Sequence, residues 1–146
     1  MRFTGFNLLP AVLMALLLSS CSHVLFRDGK SDYSIVIASD APESEQYAAT
    51  ELRDWLKEVS GAELPITGLD GGTQGKRLVV GFNPIVEELV PGTAKPGDRD
   101  DSFTWENHGG DILFWGGSKR GTLYSVYSFL EEELGYSRGF KYEAYK

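Results

Sequence analysis

Cysteine is nearly absent. Cys21 stands alone among 146 residues, so no intramolecular disulfide can staple this chain. Histidine is almost as scarce: His23 sits beside that cysteine and His108 in a glycine-rich stretch, which leaves too little for a zinc site built from His and Cys. Positive charge is in the minority, with 14 Lys and Arg against 21 Asp and Glu. Nothing basic is clustered, so no nucleic-acid partner is expected. No apolar run reaches the ~20 residues that a membrane-spanning helix needs. What remains is ordinary globular material, 42% apolar with three Trp, seven Tyr and eight Phe. That suits one domain with a real core and is too short for two.

Residues 1–20 read as an address. Arg2 supplies the positive start, and residues 8–18 form an apolar run broken only by Pro10, followed by Leu18-Ser19-Ser20-Cys21. A short apolar region ending in small residues has the physics of a secretory signal. Small residues directly before a lone cysteine resemble the lipobox of bacterial lipoproteins, in which the cysteine is lipidated and becomes the new N-terminus. The resemblance implies a lipid on Cys21 and anchoring to a membrane through it, firm when several chains are attached. The competing reading is an ordinary secretory signal with a chance cysteine. Ser22 follows Cys21 where Asp would signal inner-membrane retention, so the expected location is extracytoplasmic, lipid-anchored, at the outer membrane. Residues 21–32 read as a polar tether and residues 33–135 as the domain.

Within the domain, the β-branched run at residues 34–38 predicts a strand. Asp40, three residues before Glu43 with Pro42 between, resembles a capping box opening a helix over residues 43–60. Its apolar stripe is Ala48, Leu52, Trp55, Leu56 and Val59, with Glu51, Arg53, Asp54, Lys57 and Glu58 on the other side, and Gly61 stops it. Leu64-Pro65-Ile66 suits an edge strand, since Pro cannot donate within a central ladder. Residues 77–81 predict a buried strand, and Asn83-Pro84 opens a short helix to about Leu89. Residues 102–106 and 111–115 predict a hairpin around His108-Gly109-Gly110. A second long helix starts near Ser118, with Leu123, Val126, Tyr127, Leu130 and Leu134 as its stripe and Gly135 as its cap. The expected fold is α/β, in the form of an α+β sandwich: a mixed sheet with two long helices packed on one face.

Two blocks carry a family resemblance. One runs from Ser39-Asp40-Ala41-Pro42-Glu43 through Glu51-Leu52-Arg53-Asp54-Trp55-Leu56 to Val59-Ser60-Gly61. The other is Asp111-Ile112-Leu113-Phe114-Trp115-Gly116-Gly117-Ser118-Lys119-Arg120-Gly121-Thr122-Leu123-Tyr124, completed by residues 126–131 and Leu134-Gly135. Together they resemble the N-terminal domain of multidomain bacterial glycoside hydrolases, the alpha-glucuronidase-like and DUF4838-type proteins, and more distantly the second domain of beta-hexosaminidases. The resemblance implies an α/β sandwich beside a catalytic TIM barrel that carries the acid and base. No catalytic residue and no cofactor transfer to this chain. In the family the Leu-Gly pair leads on toward the barrel. Here Gly135 is followed by eleven residues, 136–146, that do not continue the pattern, so a fragment lacking the barrel is expected. The implied partners are a membrane through Cys21 and a catalytic barrel or a polysaccharide. A stand-alone surface glycan-binding lipoprotein and a non-functional remnant are the alternatives.

Residues 116–121 lie between a strand and a helix, where main-chain N–H groups can hold an anion, but the Gly-Lys-Ser/Thr of a nucleotide loop is missing. A tight turn with Ser118 as cap is favoured, leaving Lys119 and Arg120 as residues that could meet an interface carboxylate or a sugar. Asp98, Asp100 and Asp101 lack the rest of an EF-hand pattern, so a solvated loop is favoured over a weak calcium contact. Glycoside hydrolysis needs two carboxylates facing across a pocket. Glu43, Glu45, Glu51, Asp54, Glu58 and residues 131–133 read instead as solvated helix faces. Trp55 reads as core. Trp105 and Trp115, on the hairpin, suit either core packing or contact with a neighbouring domain or glycan.

Overall fold

The computed structural model describes residues 24–117 and 120–135. Cys21, Ser118, Lys119 and residues 136–146 lie outside them. Five strands and three helices follow in the order β1 (Ser34–Ile37), α1 (Glu43–Ser60), β2 (Ile66–Thr67), β3 (Arg77–Val80), α2 (Pro84–Leu89), β4 (Phe103–His108), β5 (Asp111–Gly116) and α3 (Gly121–Leu134). The strands form one sheet in the order β2-β1-β3-β5-β4. Its first four members run parallel, and β4 returns antiparallel to β5 at the edge. The expected mixed sheet with two long helices on one face is the fold observed.

The apolar runs Ser-Ile-Val-Ile, Arg-Leu-Val-Val and Asp-Ile-Leu-Phe-Trp-Gly explain the parallel centre, because such strands must be covered on both faces. Register sorts their side chains into two rows. Ile35, Leu78 and Ile112 align on one face with Val80 and Phe114, and there α1 and α3 supply Leu52, Leu56, Val126, Phe129 and Leu130. Val36, Val79, Leu113 and Trp115 occupy the opposite face beneath Ile85 and Val86 of α2, with Leu69, Phe82, Leu89 and Val90 around them. The short helix is therefore the lid of a second core. Phe129, which lies beside the expected stripe of α3 and was not part of it, is the hub of the first core. Its ring stands edge-on to Trp105 at 5.2 Å and to Phe114 at 5.1 Å.

Several local expectations change in the folded chain. Helix α1 begins without a capping box: Pro42 is the N-cap residue, and its carbonyl accepts from the N–H groups of Glu45 and Gln46 at 2.9 and 3.1 Å. Asp40 stands two residues before that position, too early in the chain to take the role. Val59, near the carboxyl end of the helix, is exposed although it continues the apolar stripe. Glu51 is half-buried, not solvated. It accepts from the Tyr127 hydroxyl at 2.7 Å and the Trp55 indole at 3.3 Å, tying α1 to α3. The segment expected as tether joins the body early. Leu25 is buried, Phe26 packs on the first core, and Arg27 and Lys30 pair across a tight turn. Among the described residues no helix is long and apolar enough to cross a membrane.

Replacing Phe129 with Ala removes the ring that joins α3 to both Trp105 and Phe114. The expected cost is about 3–5 kcal/mol, read as a lower urea midpoint at unchanged slope. A loss below ~1 kcal/mol would show that the aromatic cluster is not a core element.

Candidate functional site

Strand connectivity selects one end of this sheet. From β1 the chain passes through α1 to β2 on one side, whereas β3 leads toward β5 and β4 on the other. In open α/β sheets, ligands bind outside the carboxyl ends of the strands where the order reverses in this way. A cleft of about 390 Å³ lies there, with Ala38, Asp40, Glu45, Phe82, Lys95 and Asp98 among its walls.

Glu45 is the distinctive group of that cleft. It belongs to the first turn of α1, where negative charge suits the helix dipole, yet its side chain is only 9% exposed. The carboxylate accepts from the Thr122 hydroxyl at the start of α3, at 3.5 Å, and from the Phe82 main-chain N–H after β3. Gly81 makes room for it: a Cβ at that position would stand 2.2 Å from Glu45 Oε2, and the φ of +90° there also favours glycine. Burial pushes the Glu45 carboxyl above the ordinary glutamate range. The Thr122 and Phe82 hydrogen bonds and the charge of Lys95 pull it down, and Asp40 pushes it up. This residue joins the ends of β3, α1 and α3 through one buried carboxylate.

A second buried carboxylate sits at the other end of the strands. Asp111, the first residue of β5, is 1% exposed. Its Oδ1 accepts from the N–H groups of Gly75 and Arg77 at 2.8 and 3.0 Å, and its Oδ2 takes the Arg77 guanidinium at 3.2 and 2.5 Å. With four donors on one carboxylate, both oxygens are engaged, and the pair fastens the loop before β3 to the hairpin. Glu45 meets Gly81 and Asp111 meets Arg77, so the two carboxylates are separated by the length of β3, roughly 13 Å. A glycosidase acid and base stand about 5–9.5 Å apart. These two do not face one another. The other acids of the cleft, Asp40 and Asp98, are exposed.

The glycines after β5 have a packing role. A Cβ on Gly117 would fall 1.5 Å from the Asp100 carbonyl oxygen, and one on Gly116 or Gly121 would meet the other's backbone or the Ser102 carbonyl within 2.6 Å. Gly117 N–H donates to that Ser102 carbonyl at 2.9 Å. Strand β5, the start of β4 and helix α3 thus close on one another at distances only glycine allows.

The residues singled out in the sequence are dispersed by this arrangement. Cys21 and Lys119 lie outside the described residues. Arg120 is exposed at the N-cap of α3 and makes no side-chain cap. Trp115 is 5% exposed beneath α2, so the reading of this ring as a glycan or interface contact is corrected: the chain's own short helix covers it. Trp105 is half-buried against Phe129, with its face turned to α3. His108 pairs with Glu106 on β4 at 2.8 Å. Asp100 accepts from the Ser102 N–H at 2.8 Å, which holds its carboxyl below the ordinary range. Among the described residues no group of three His, Cys, Asp or Glu side chains is placed to hold a metal ion. Sequence reasoning missed Glu45. Its only signal was Gly81 after a buried strand, and that glycine does not say which side chain fills its space.

No known family model matches the chain, and no characterised protein matches its sequence.

The raised Glu45 carboxyl sets a pH dependence. The folded chain holds this proton more tightly than the unfolded chain does. Its favourable contribution is therefore complete below the unfolded glutamate value of about 4.3 and is lost as pH rises through the higher folded value. Glu45→Gln is expected to stabilise the protein at pH 7 by about 1 kcal/mol, with the gain over wild type shrinking toward zero near pH 4. Paired thermal melts across that range measure it. A variant less stable than wild type at pH 7 would show that the hydrogen bonds outweigh the burial of charge. Trp115→Ala is expected to cost about 3–5 kcal/mol in urea denaturation, as a core ring does; a near-neutral change would return Trp115 to the surface.

Proposed function

We propose that this chain is a lipid-anchored, non-catalytic accessory domain of a polysaccharide-degrading glycoside hydrolase. It is held through Cys21 at an extracytoplasmic membrane surface, that of the outer membrane, and works beside a catalytic barrel. The resemblance across residues 33–135 is the starting point. The observation that carries the reading is the role of its most specific block. Gly116, Gly117 and Gly121 are required by backbone contact with residues 100–102 and with one another, so the motif serves packing and not substrate chemistry. The carboxylates support the same reading. Glu45 and Asp111 are each engaged by protein donors, at opposite ends of β3.

A second reading, a stand-alone glycan-binding lipoprotein, is favoured by the cleft at the carboxyl end of the strands. The two separate on one set of measurements. Purified protein is expected to release no product from aryl glycosides or oligosaccharides and to give no saturable heat with a panel of soluble glycans. Turnover abolished by Glu45→Gln or Asp98→Asn would overturn the non-catalytic assignment. Saturable binding that Asp98→Asn or Lys95→Ala weakens at least tenfold would replace it with the glycan-binding one.

A further inference from the structure

We infer that the open edge of β4 is the docking site of the chain's own residues 136–146, which pair there as an antiparallel strand. The two edges of the sheet differ. Strand β2 is two residues long and follows Pro65, which blunts it against pairing. Strand β4 has six residues in unbroken register with β5 and contains no Pro, Lys or bulge. The Ser102 carbonyl accepts from the Gly117 N–H. The register carries that alternation along the strand, so Thr104, Glu106 and His108 turn their main chain to β5. The N–H and C=O groups of Phe103, Trp105 and Asn107 point outward, and among the described residues they have no main-chain partner. Phe103 is also 47% exposed along this edge. A regular, unpaired edge of this length is a template for one more strand.

Helix α3 delivers the segment to that edge in the right direction. Its first residue, Gly121, lies against the Ser102 carbonyl, Tyr124 stands edge-on to Phe103 at 6.1 Å, and Phe129 meets Trp105 further along. The helix therefore runs with β4, and Gly135 comes out beside the His108 end. A chain turning back from there is antiparallel to β4. Residues 136–139 are a connection of ordinary length and reach at most ~14 Å. With Phe140 opposite Asn107, Tyr142 falls opposite Trp105 and Ala144 opposite Phe103, and every outward group of β4 is used. Residues opposite one another share a face, so Phe140 and Tyr142 join the α3 side, where the Phe103 ring is exposed.

Charge selects the same occupant and the same register. Acids are in excess at this edge, with Glu106 on β4 and Glu131, Glu132 and Glu133 at the end of α3. Residues 136–146 carry Arg138, Lys141 and Lys146 against Glu143, in a chain whose net charge is −7. The register sets Lys141 opposite Glu106, whose near neighbour is His108 at 2.8 Å. It sets Glu143 opposite Thr104 and Lys146 opposite Asp101, and it leaves Arg138 in the turn beside the α3 carboxylates. Arg99 and Arg120 are the other cations at the Phe103 end, and Asp100 and Asp101 stand against them. A second copy paired antiparallel on β4 would bring its own α3 carboxylates to Asp100 and Asp101, acid against acid.

The test is amide hydrogen exchange, followed by NMR on the full mature chain. The Phe103, Trp105 and Asn107 amides are expected to exchange at least tenfold more slowly than in a chain ending at Gly135, while the Leu113 amide of β5 changes little. Tyr142→Pro keeps the full length, removes one ladder donor, and is expected to release the Trp105 amide in the same way. Lys141→Glu is expected to speed exchange at Trp105 and Asn107, and Glu106→Lys added to it to restore the protection. Protection that survives the loss of residues 136–146, or that is missing from the full chain, would overturn the docking. Protection that grows with protein concentration and disappears on dilution would assign the edge to a second copy instead.

Discussion

A parallel sheet cannot leave either face in water, and that requirement organises the molecule. Strands β1, β3 and β5 carry apolar side chains in both directions, so burial of one row exposes the other unless something covers it. The two long helices meet half of the need. Helix α2, six residues long, meets the rest with Ile85 and Val86 over Val79, Leu113 and Trp115. Asn83 makes so short a helix possible: its side chain accepts from the Ile85 N–H at 3.0 Å and donates to the Gly81 carbonyl at 3.0 Å, so the turn out of β3 and the helix start share one residue. The second core then dictates that Trp115 points into protein.

With both faces closed, polar chemistry is confined to the two ends of the strands, and the ends differ. At the amino end, the Asp111 carboxylate collects four donors and welds the loop before β3 to the hairpin. Such a pair fixes register more than it adds stability, because desolvation offsets much of its attraction. At the carboxyl end, Glu45 is buried with fewer donors, and its charge is correspondingly disfavoured. A buried carboxyl held above its ordinary range beside an open cleft is the kind of strain found at functional positions and at structural ones alike. In this fold it is bound to Thr122 and Phe82 and backed by Gly81, which assigns it to holding α1, β3 and α3 together.

The elements themselves were legible because their signals are local. Helix α1 runs from Glu43 to Ser60 and stops at a left-handed Gly61, as its stripe and its glycine imply. The hairpin falls on Gly109 and Gly110, and α2 follows Asn83-Pro84. The misreadings share one cause. Position along a helix treats Glu45, Glu51, Val59 and Phe129 as though the helix had one wet face and one dry face. In the folded chain the dry region depends on what stands opposite: Tyr127 and Trp55 enclose Glu51, Trp105 and Phe114 enclose Phe129, and Val59 stays exposed among the described residues.

Composition and periodicity by themselves determined the number of elements, their kinds and their approximate bounds, since hydrophobic period, caps and turn glycines act over a few neighbouring residues. They also determined the exclusions that follow from one cysteine, two histidines and an acidic balance. Only the tertiary structure decided that two cores exist, that Trp115 belongs to the second, and that Glu45 and Asp111 stand at opposite ends of one strand. Those outcomes depend on contacts between residues tens of positions apart, such as Glu45 with Thr122 and Arg77 with Asp111. A side chain's solvent, donors and charge neighbours come from across the sheet, and no window along the chain contains them.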